Sequence, residues 1–149
     1  FNAFSFLQGL ETLPLRIERH CENTQKVANF LSTHNKVSKT IYPSLMNDKP
    51  LERAKKYLNN SFGSLLGFEL KNGEEAGRKF IDNLKLLFHV ANIGDARSLA
   101  IHPSSTTHSQ LSEKEKLAAG VTPGYIRLSI GIEHIDDIIA DIEQALEKT

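Results

Sequence analysis

The spacing of apolar residues along the chain changes several times between the period of a helix and the period of a strand. Apolar residues three or four positions apart predict amphipathic helices, and short apolar or alternating runs between turn residues predict strands. The predicted helices cover residues 2–9, 12–32, 48–58, 74–84, 112–120 and 135–146. The predicted strands cover residues 37–42, 64–70, 86–91, 98–101 and 125–130.

This order of elements predicts one small sheet that is covered by helices. We expect an α+β fold, a two-layer sandwich in which a mixed or antiparallel sheet of about four strands has helices on one face. Ser112 and Glu115 form a capping box that begins one helix, and the Asn59-Asn60 pair is expected to end another. The polar stretch 103–109 predicts a loop, which is a common place for ligands to bind.

The last predicted strand contains one permanent cation, Arg127, in an otherwise apolar run. Strand side chains alternate between two faces, so every second residue lines the core. The core side is expected to hold Ile126, Leu128 and Ile130, and the opposite, uncovered side Tyr125, Arg127 and Ser129. A guanidinium on a rigid strand beside two hydroxyls can pair bidentately with a carboxylate. That carboxylate is either on a ligand or on an Asp or Glu of the same domain.

Composition narrows the classes of partner. Eighteen Lys and Arg residues balance eighteen Asp and Glu residues, so no net field draws the chain to nucleic acid or to a membrane surface. Cys21 is the single cysteine and favours a reducing compartment, for which the cytoplasm is the simplest assignment. The first residue is Phe1 within a helical pattern, so we expect the chain to be a piece of a longer protein.

Several kinds of active site find little support in the residues. His102 and His108 lie on one loop with no third metal ligand nearby, so we expect no metal site. Residues 62–67 only approximate the Gly-x-Ser-x-Gly elbow of hydrolases, and Cys21 lacks neighbours that would activate it. No glycine-rich phosphate loop opens a helix after a strand. From its residues the chain is expected to be a binding part and not a catalytic unit.

Four stretches nevertheless resemble one enzyme family. They are GLETLPLR at 9–16, ANIGDARSL at 91–99, HPSSTTH at 102–108 and GYIRLSIGIE at 124–133. Together they resemble the C-terminal domain of the Cys/Met-metabolism family of pyridoxal-phosphate (PLP) enzymes, most closely the O-acetylhomoserine sulfhydrylases. The resemblance extends over nearly the whole chain.

This resemblance implies a function and a set of site residues. Arg127 would bind the α-carboxylate of the substrate amino acid, and Asn92 and Thr107 would help to hold it. For Asn92 a turn-making role is an open alternative. The implied reaction is γ-replacement, in which acetate leaves O-acetylhomoserine and sulfide or a thiol adds, giving homocysteine or methionine.

The resemblance also implies an organisation. The missing N-terminal part would bind PLP, residues 1–36 would be a long helical connection, and residues 37–149 would be the small C-terminal domain. The parent would be a homo-oligomer, a tetramer. Lys39 is expected to be a solvated lysine and not a cofactor lysine, so the isolated chain is expected to be inactive.

Other functions stay open from the sequence. Relatives that handle cystathionine tend to carry a carboxylate beside the position of Asn92, whereas this chain has Ala91, which favours an O-acylated homoserine. The same domain from a cystathionine γ-synthase, a cystathionine γ-lyase or a methionine γ-lyase is an alternative. A free-standing regulatory module that binds a small molecule is another, and a scaffold for oligomerisation a third.

Overall fold

The computed structural model describes residues 1–59 and 61–149, which form six α-helices and five strands. The helices are α1 (Asn2–Glu11), α2 (Leu13–Thr33), α3 (Lys49–Leu58), α4 (Gly73–Asn83), α5 (Glu113–Ala118) and α6 (Ile135–Leu146). The strands are β1 (Val37–Ile41), β2 (Leu65–Leu70), β3 (Phe88–His89), β4 (Leu99–Ile101) and β5 (Tyr125–Ser129). Short 3₁₀ turns occupy Pro43–Leu45 and Pro103–Ser105.

The five strands form one mixed sheet in the order β1-β2-β5-β4-β3. Neighbouring strands are antiparallel except β3 and β4, which are parallel. The α+β class and the mixed sheet are therefore confirmed, with five strands where about four were expected. The predicted strand 86–91 shrinks to β3 because the main-chain N–H groups of Leu86 and Leu87 donate to the buried carboxylate of Asp141, on α6, and not to a strand.

The main core lies between one face of the sheet and three helices, α2, α4 and α6. Ile126, Leu128 and Ile130 are fully buried there, as the alternation predicted. Phe68 of β2 meets Phe80 of α4 edge to face, with ring centroids 5.4 Å apart. Aromatic pairs of this geometry add to the free energy gained by burying the rings.

The structure describes one predicted helix-end signal completely and the other only at its first residue. Both hydrogen bonds of the capping box between Ser112 and Glu115 are present at the start of α5, which confirms the prediction. Asn59 follows α3 in the left-handed conformation, with φ of 47°, and this stops the helix. Its predicted companion Asn60 lies outside the described residues.

The first two helices differ in burial. The second half of α2 joins the core through Val27, Ala28 and Leu31, whereas α1 buries none of its residues. A boundary at residue 36 between a helical connection and a small domain stays a prediction. None of the described helices has the length and apolar character needed to cross a membrane.

Candidate functional site

Arg127 lies in the middle of β5, where it pairs in register with Gly67 of β2 and Ile101 of β4. Its side chain is half-buried. Nη2 donates to the carbonyl of Ala91 at 2.8 Å and reaches that of Asn92 at 3.5 Å. The Nε atom is buried and has no hydrogen-bond partner among the described residues. Two main-chain carbonyls therefore orient the guanidinium and leave several of its N–H groups free.

The face of the sheet that carries Arg127 is less open than the alternation predicted. Residues paired across antiparallel strands share a face, which places Leu99 and Ile101 on this side. Both are almost completely buried, at 1% and 4% exposure, and Ser129 is buried too. Residues 91–98, here called the 91–98 loop, touch this face, where the N–H of Gly94 donates to Ser129 Oγ at 3.3 Å.

No Asp or Glu in residues 1–59 and 61–149 forms a salt bridge with Arg127. Carbonyl groups orient a guanidinium without cancelling its charge. The alternative partner, a local carboxylate, is thus not found in the described part of the chain. A half-buried, uncancelled cation attracts an anion more strongly than a fully exposed one does.

Tyr125 lies beside Arg127 on the same face. Burial raises the pKa of its phenol, while the charge of Arg127 opposes that shift and the charge of Glu69 adds to it. The ring covers Gly67, where an added Cβ would lie 2.5 Å from Tyr125 Cε2. The neutral phenol is therefore one wall of the site, and Gly67 gives it space.

The structure brings two of the three predicted site residues together. The main chain of Asn92 contacts Arg127, and the Asn92 side chain is exposed. Thr107 is exposed as well, and its hydroxyl bonds to Nδ1 of His108 at 2.9 Å. Within residues 1–59 and 61–149 no hydrogen bond joins Thr107 to Arg127 or to Asn92.

His102 anchors the 103–109 loop, a role that the sequence did not indicate. Its ring is buried, with Nε2 2.7 Å from the carbonyl of Pro123 and Nδ1 2.7 Å from Ser105 Oγ. A carbonyl only accepts, so Nε2 carries the proton and Nδ1 accepts from the hydroxyl. Burial lowers the pKa of His102, against the smaller opposing effect of the Pro123 carbonyl. No group of three or more His, Cys, Asp and Glu among the described residues could hold a metal.

We expect His102 to make the stability of the chain depend on pH. Its pKa is lowered in the folded state, so below about pH 6.5 the unfolded chain binds a proton that the folded chain does not. Stability should fall as pH decreases from about 7 to about 5, above the range of ordinary carboxylates. Urea unfolding at several pH values measures this.

Two histidine substitutions test this pH dependence, one at His102 and one at a histidine outside the core. His102→Gln should be less stable at neutral pH and should show a smaller loss between pH 7 and pH 5, since the titrating ring is gone. His134→Gln removes an exposed histidine that caps α6 by accepting from the N–H of Asp136 at 3.3 Å, so it should lower stability through the lost cap and leave the contribution of His102 to the slope in place. Equal slopes for the chain and His102→Gln would contradict this assignment.

Comparison with known proteins places this geometry in a family. The sequence profile of the Cys/Met metabolism PLP-dependent enzymes matches residues 1–147. The chain belongs to this family. Among curated members, the O-acetyl-L-homoserine sulfhydrylase of Leptospira meyeri is 57% identical over 99% of the chain. The L-methionine gamma-lyase of Fusobacterium nucleatum subsp. polymorphum is 45% identical over 99% of the chain.

A solved structure of the Cys/Met-metabolism family has the same fold. A crystal structure described as an O-acetylhomoserine (thiol)-lyase from Campylobacter jejuni subsp. jejuni NCTC 11168 superimposes with a TM-score of 0.87. It is 51% identical and covers 95% of this chain. That structure contains N′-pyridoxyl-lysine-5′-monophosphate at its position 205, outside the part that corresponds to this chain. The chain spans 34% of that protein and 34% of the Leptospira meyeri relative.

The cofactor on which the family depends, PLP, is attached through a lysine in the Campylobacter jejuni structure, so the lysines among the described residues are the candidates for such a role. Lys39 is exposed on the edge strand β1. Lys116 is buried, but its ammonium pairs with Glu113 at 3.1 Å. Neither Lys39 nor Lys116 thus supports cofactor attachment here. What the described part of the chain offers is the half-buried guanidinium of Arg127, which two main-chain carbonyls orient.

Proposed function

We propose that this chain is the substrate-carboxylate-binding part of a PLP-dependent sulfhydrylase. The parent would convert O-acetyl-homoserine and sulfide or a thiol to homocysteine or methionine by γ-replacement. The supporting observation is the guanidinium of Arg127, which is half-buried, oriented by the carbonyls of Ala91 and Asn92, and unpaired with any carboxylate of the described residues. Membership of the family supplies the reaction class.

In this proposal Arg127 binds the substrate amino acid and orients it. Its free N–H groups donate to the oxygens of the substrate α-carboxylate and form a charge-assisted pair, the strongest kind of hydrogen bond available to Arg127. Holding the carboxylate fixes the rotation of the substrate about Cα. Misplacement by about 1 Å can cost on the order of a hundredfold in rate, so orientation accounts for the main part of the effect.

Asn92 and Thr107 take supporting roles in the proposal. The exposed amide of Asn92 lies on the same loop that contacts Arg127, so it can donate a second hydrogen bond to the carboxylate. Thr107 is on the loop anchored by His102. Its hydroxyl can turn from His108 towards a bound ligand, since hydroxyl groups rotate at little cost.

We also propose how the chain fits into its parent. Residues 1–36 would connect the small domain, 37–149, to an N-terminal part that binds PLP, in a cytoplasmic homo-oligomer, a tetramer. The exposure of α1 supports this, because its apolar side chains Phe4, Phe6, Leu7 and Leu10 are all more than half exposed. A helix this apolar is normally covered by other protein.

The direct test is an assay of the parent. The full-length protein, loaded with PLP, should form homocysteine from O-acetyl-L-homoserine and sulfide, measured by chromatography of the products. Residues 1–149 alone, supplied with PLP and both substrates, should give no product. Turnover by residues 1–149 alone, or none by the parent, would refute the proposal.

A second candidate activity is supported by two of the curated relatives. The relative from Fusobacterium nucleatum subsp. polymorphum is an L-methionine gamma-lyase. Supplying the full-length protein with methionine alone separates the two activities. A lyase releases methanethiol from methionine without any sulfur donor. The higher identity to the sulfhydrylase, 57% against 45%, favours γ-replacement.

A further inference from the structure

Glu133 holds the far end of the 91–98 loop. Its carboxylate accepts two hydrogen bonds from Ser98, one from the main-chain N–H at 2.6 Å and one from the hydroxyl at 2.9 Å. The same hydroxyl accepts from the N–H of Gly131 at 2.8 Å. Ser98 is completely buried, so these bonds are shielded from competition with water. The loop is thus tied to the segment that follows β5.

The interior of the loop is also constrained. The side chain of Asp95 accepts from the N–H of Arg97 at 2.9 Å, which closes a short turn. The N–H of Ile132 donates to the carbonyl of Ala96 at 2.8 Å. These bonds hold residues 95–97, and the bond from the N–H of Gly94 to Ser129 Oγ holds the part before them, so a shift at Ser98 is passed along the loop towards Ala91.

The main chain at Glu133 is held on the core side by a side chain of α2. The amide of Asn23 is buried and donates to the carbonyls of Gly131 at 3.0 Å and Glu133 at 2.9 Å. The carboxylate therefore projects from a main chain that is fixed on the core side. It serves as a rigid support for the loop, whose other end contacts Arg127.

We propose that Glu133 is a positioning residue for Arg127. Its carboxylate fixes the 91–98 loop, and the loop carbonyls at Ala91 and Asn92 set the direction in which the guanidinium offers its free N–H groups to a substrate carboxylate. The inference rests on the proposed function of Arg127. It predicts that the two side chains act as one unit in binding, although no hydrogen bond or salt bridge joins them directly.

The test is a double-mutant cycle in the full-length, PLP-loaded parent. Glu133→Ala should raise KM for O-acetyl-L-homoserine by roughly ten- to a hundredfold, as expected for a misdirected Arg127. In an Arg127→Ala background the same change should add about twofold at most, because residues of one network are not additive. If Glu133→Ala instead raised KM by the same factor in both backgrounds, Glu133 would act on the structure in general. That result would overturn the inference.

Isosteric variants keep the test valid if Glu133→Ala fails to fold. Glu133→Gln retains one oxygen for the Ser98 N–H and should recover part of the KM. The matched control is Asp141→Asn, since Asp141 is also a buried acid that accepts main-chain N–H groups, but those of Lys85, Leu86 and Leu87. It should lower the melting temperature and leave KM unchanged. A KM effect in Asp141→Asn equal to that in Glu133→Gln would count against the inference.

Two different failures can be told apart. An unchanged KM in Arg127→Ala would refute the proposed function itself. A raised KM in Arg127→Ala together with an unchanged KM in Glu133→Ala would refute only the role of Glu133.

Discussion

Replacing Arg127 with alanine in the full-length parent should lower kcat/KM for O-acetyl-L-homoserine by on the order of a hundredfold or more. The reason is loss of the charged group that holds the α-carboxylate, which removes both binding energy and orientation. Stability should change little, because the side chain lies outside the main core and forms no salt bridge among the described residues. Steady-state kinetics and the melting temperature of the same preparation measure the two effects.

Two further arginine variants show whether the effect belongs to the carboxylate. Arg127→Lys keeps the charge but loses the planar fork of donors, so it should recover only part of the activity. Arg53→Ala removes an exposed arginine from α3 and should leave the kinetics unchanged. A substrate analogue without the α-carboxylate should react equally slowly with the parent and with Arg127→Ala. Retention of full kcat/KM by Arg127→Ala would exclude Arg127 as the carboxylate anchor.

The strand that carries Arg127 was predictable in detail because its burial follows a local rule. Alternation along 125–130 places Ile126, Leu128 and Ile130 in the core, and the structure has them there. The capping box at Ser112 is equally local, since its partner is three residues away. Where one short segment contains all the information, the sequence was sufficient.

The opposite face of the sheet was wrongly expected to be open. Leu99 and Ile101 are buried on this face, and the 91–98 loop is held against the sheet by contacts with residues more than thirty positions later. Asp141 shortens β3 in the same way, from more than fifty positions away. Such contacts have no signature in the local pattern of polar and apolar residues.

The site residues divide in the same way, into one that its local sequence indicated and others that only the fold reveals. Arg127 stood out from its sequence context as a cation in an apolar strand. His102 and Glu133 did not, because a buried histidine and an acid that binds main-chain N–H groups look in sequence like any surface residue. Their partners, Pro123 and Ser98, are known only from the fold.

The second large effect is expected at Gly131, just after β5. A Cβ added there would collide with Glu133 Oε2, with the carbonyl oxygen of Ala96 and with the carbonyl carbon of Arg97. Two of these atoms belong to the main chain and cannot rotate away. Gly131→Ala should therefore destabilise the chain by about 3 kcal/mol, the upper range for overpacking a tight site. Urea unfolding with an unchanged m-value would measure it.

A glycine in open space provides the control for Gly131→Ala. Gly9 lies within α1 and no atom would come within 4 Å of an added Cβ. Gly9→Ala should stabilise the helix by about 1 kcal/mol, so the two identical substitutions should have opposite signs. In the parent, Gly131→Ala should also raise KM, because moving residues 96 and 97 displaces the loop that orients Arg127. A stable Gly131→Ala protein with normal KM would show that the chain after β5 can shift without disturbing the site.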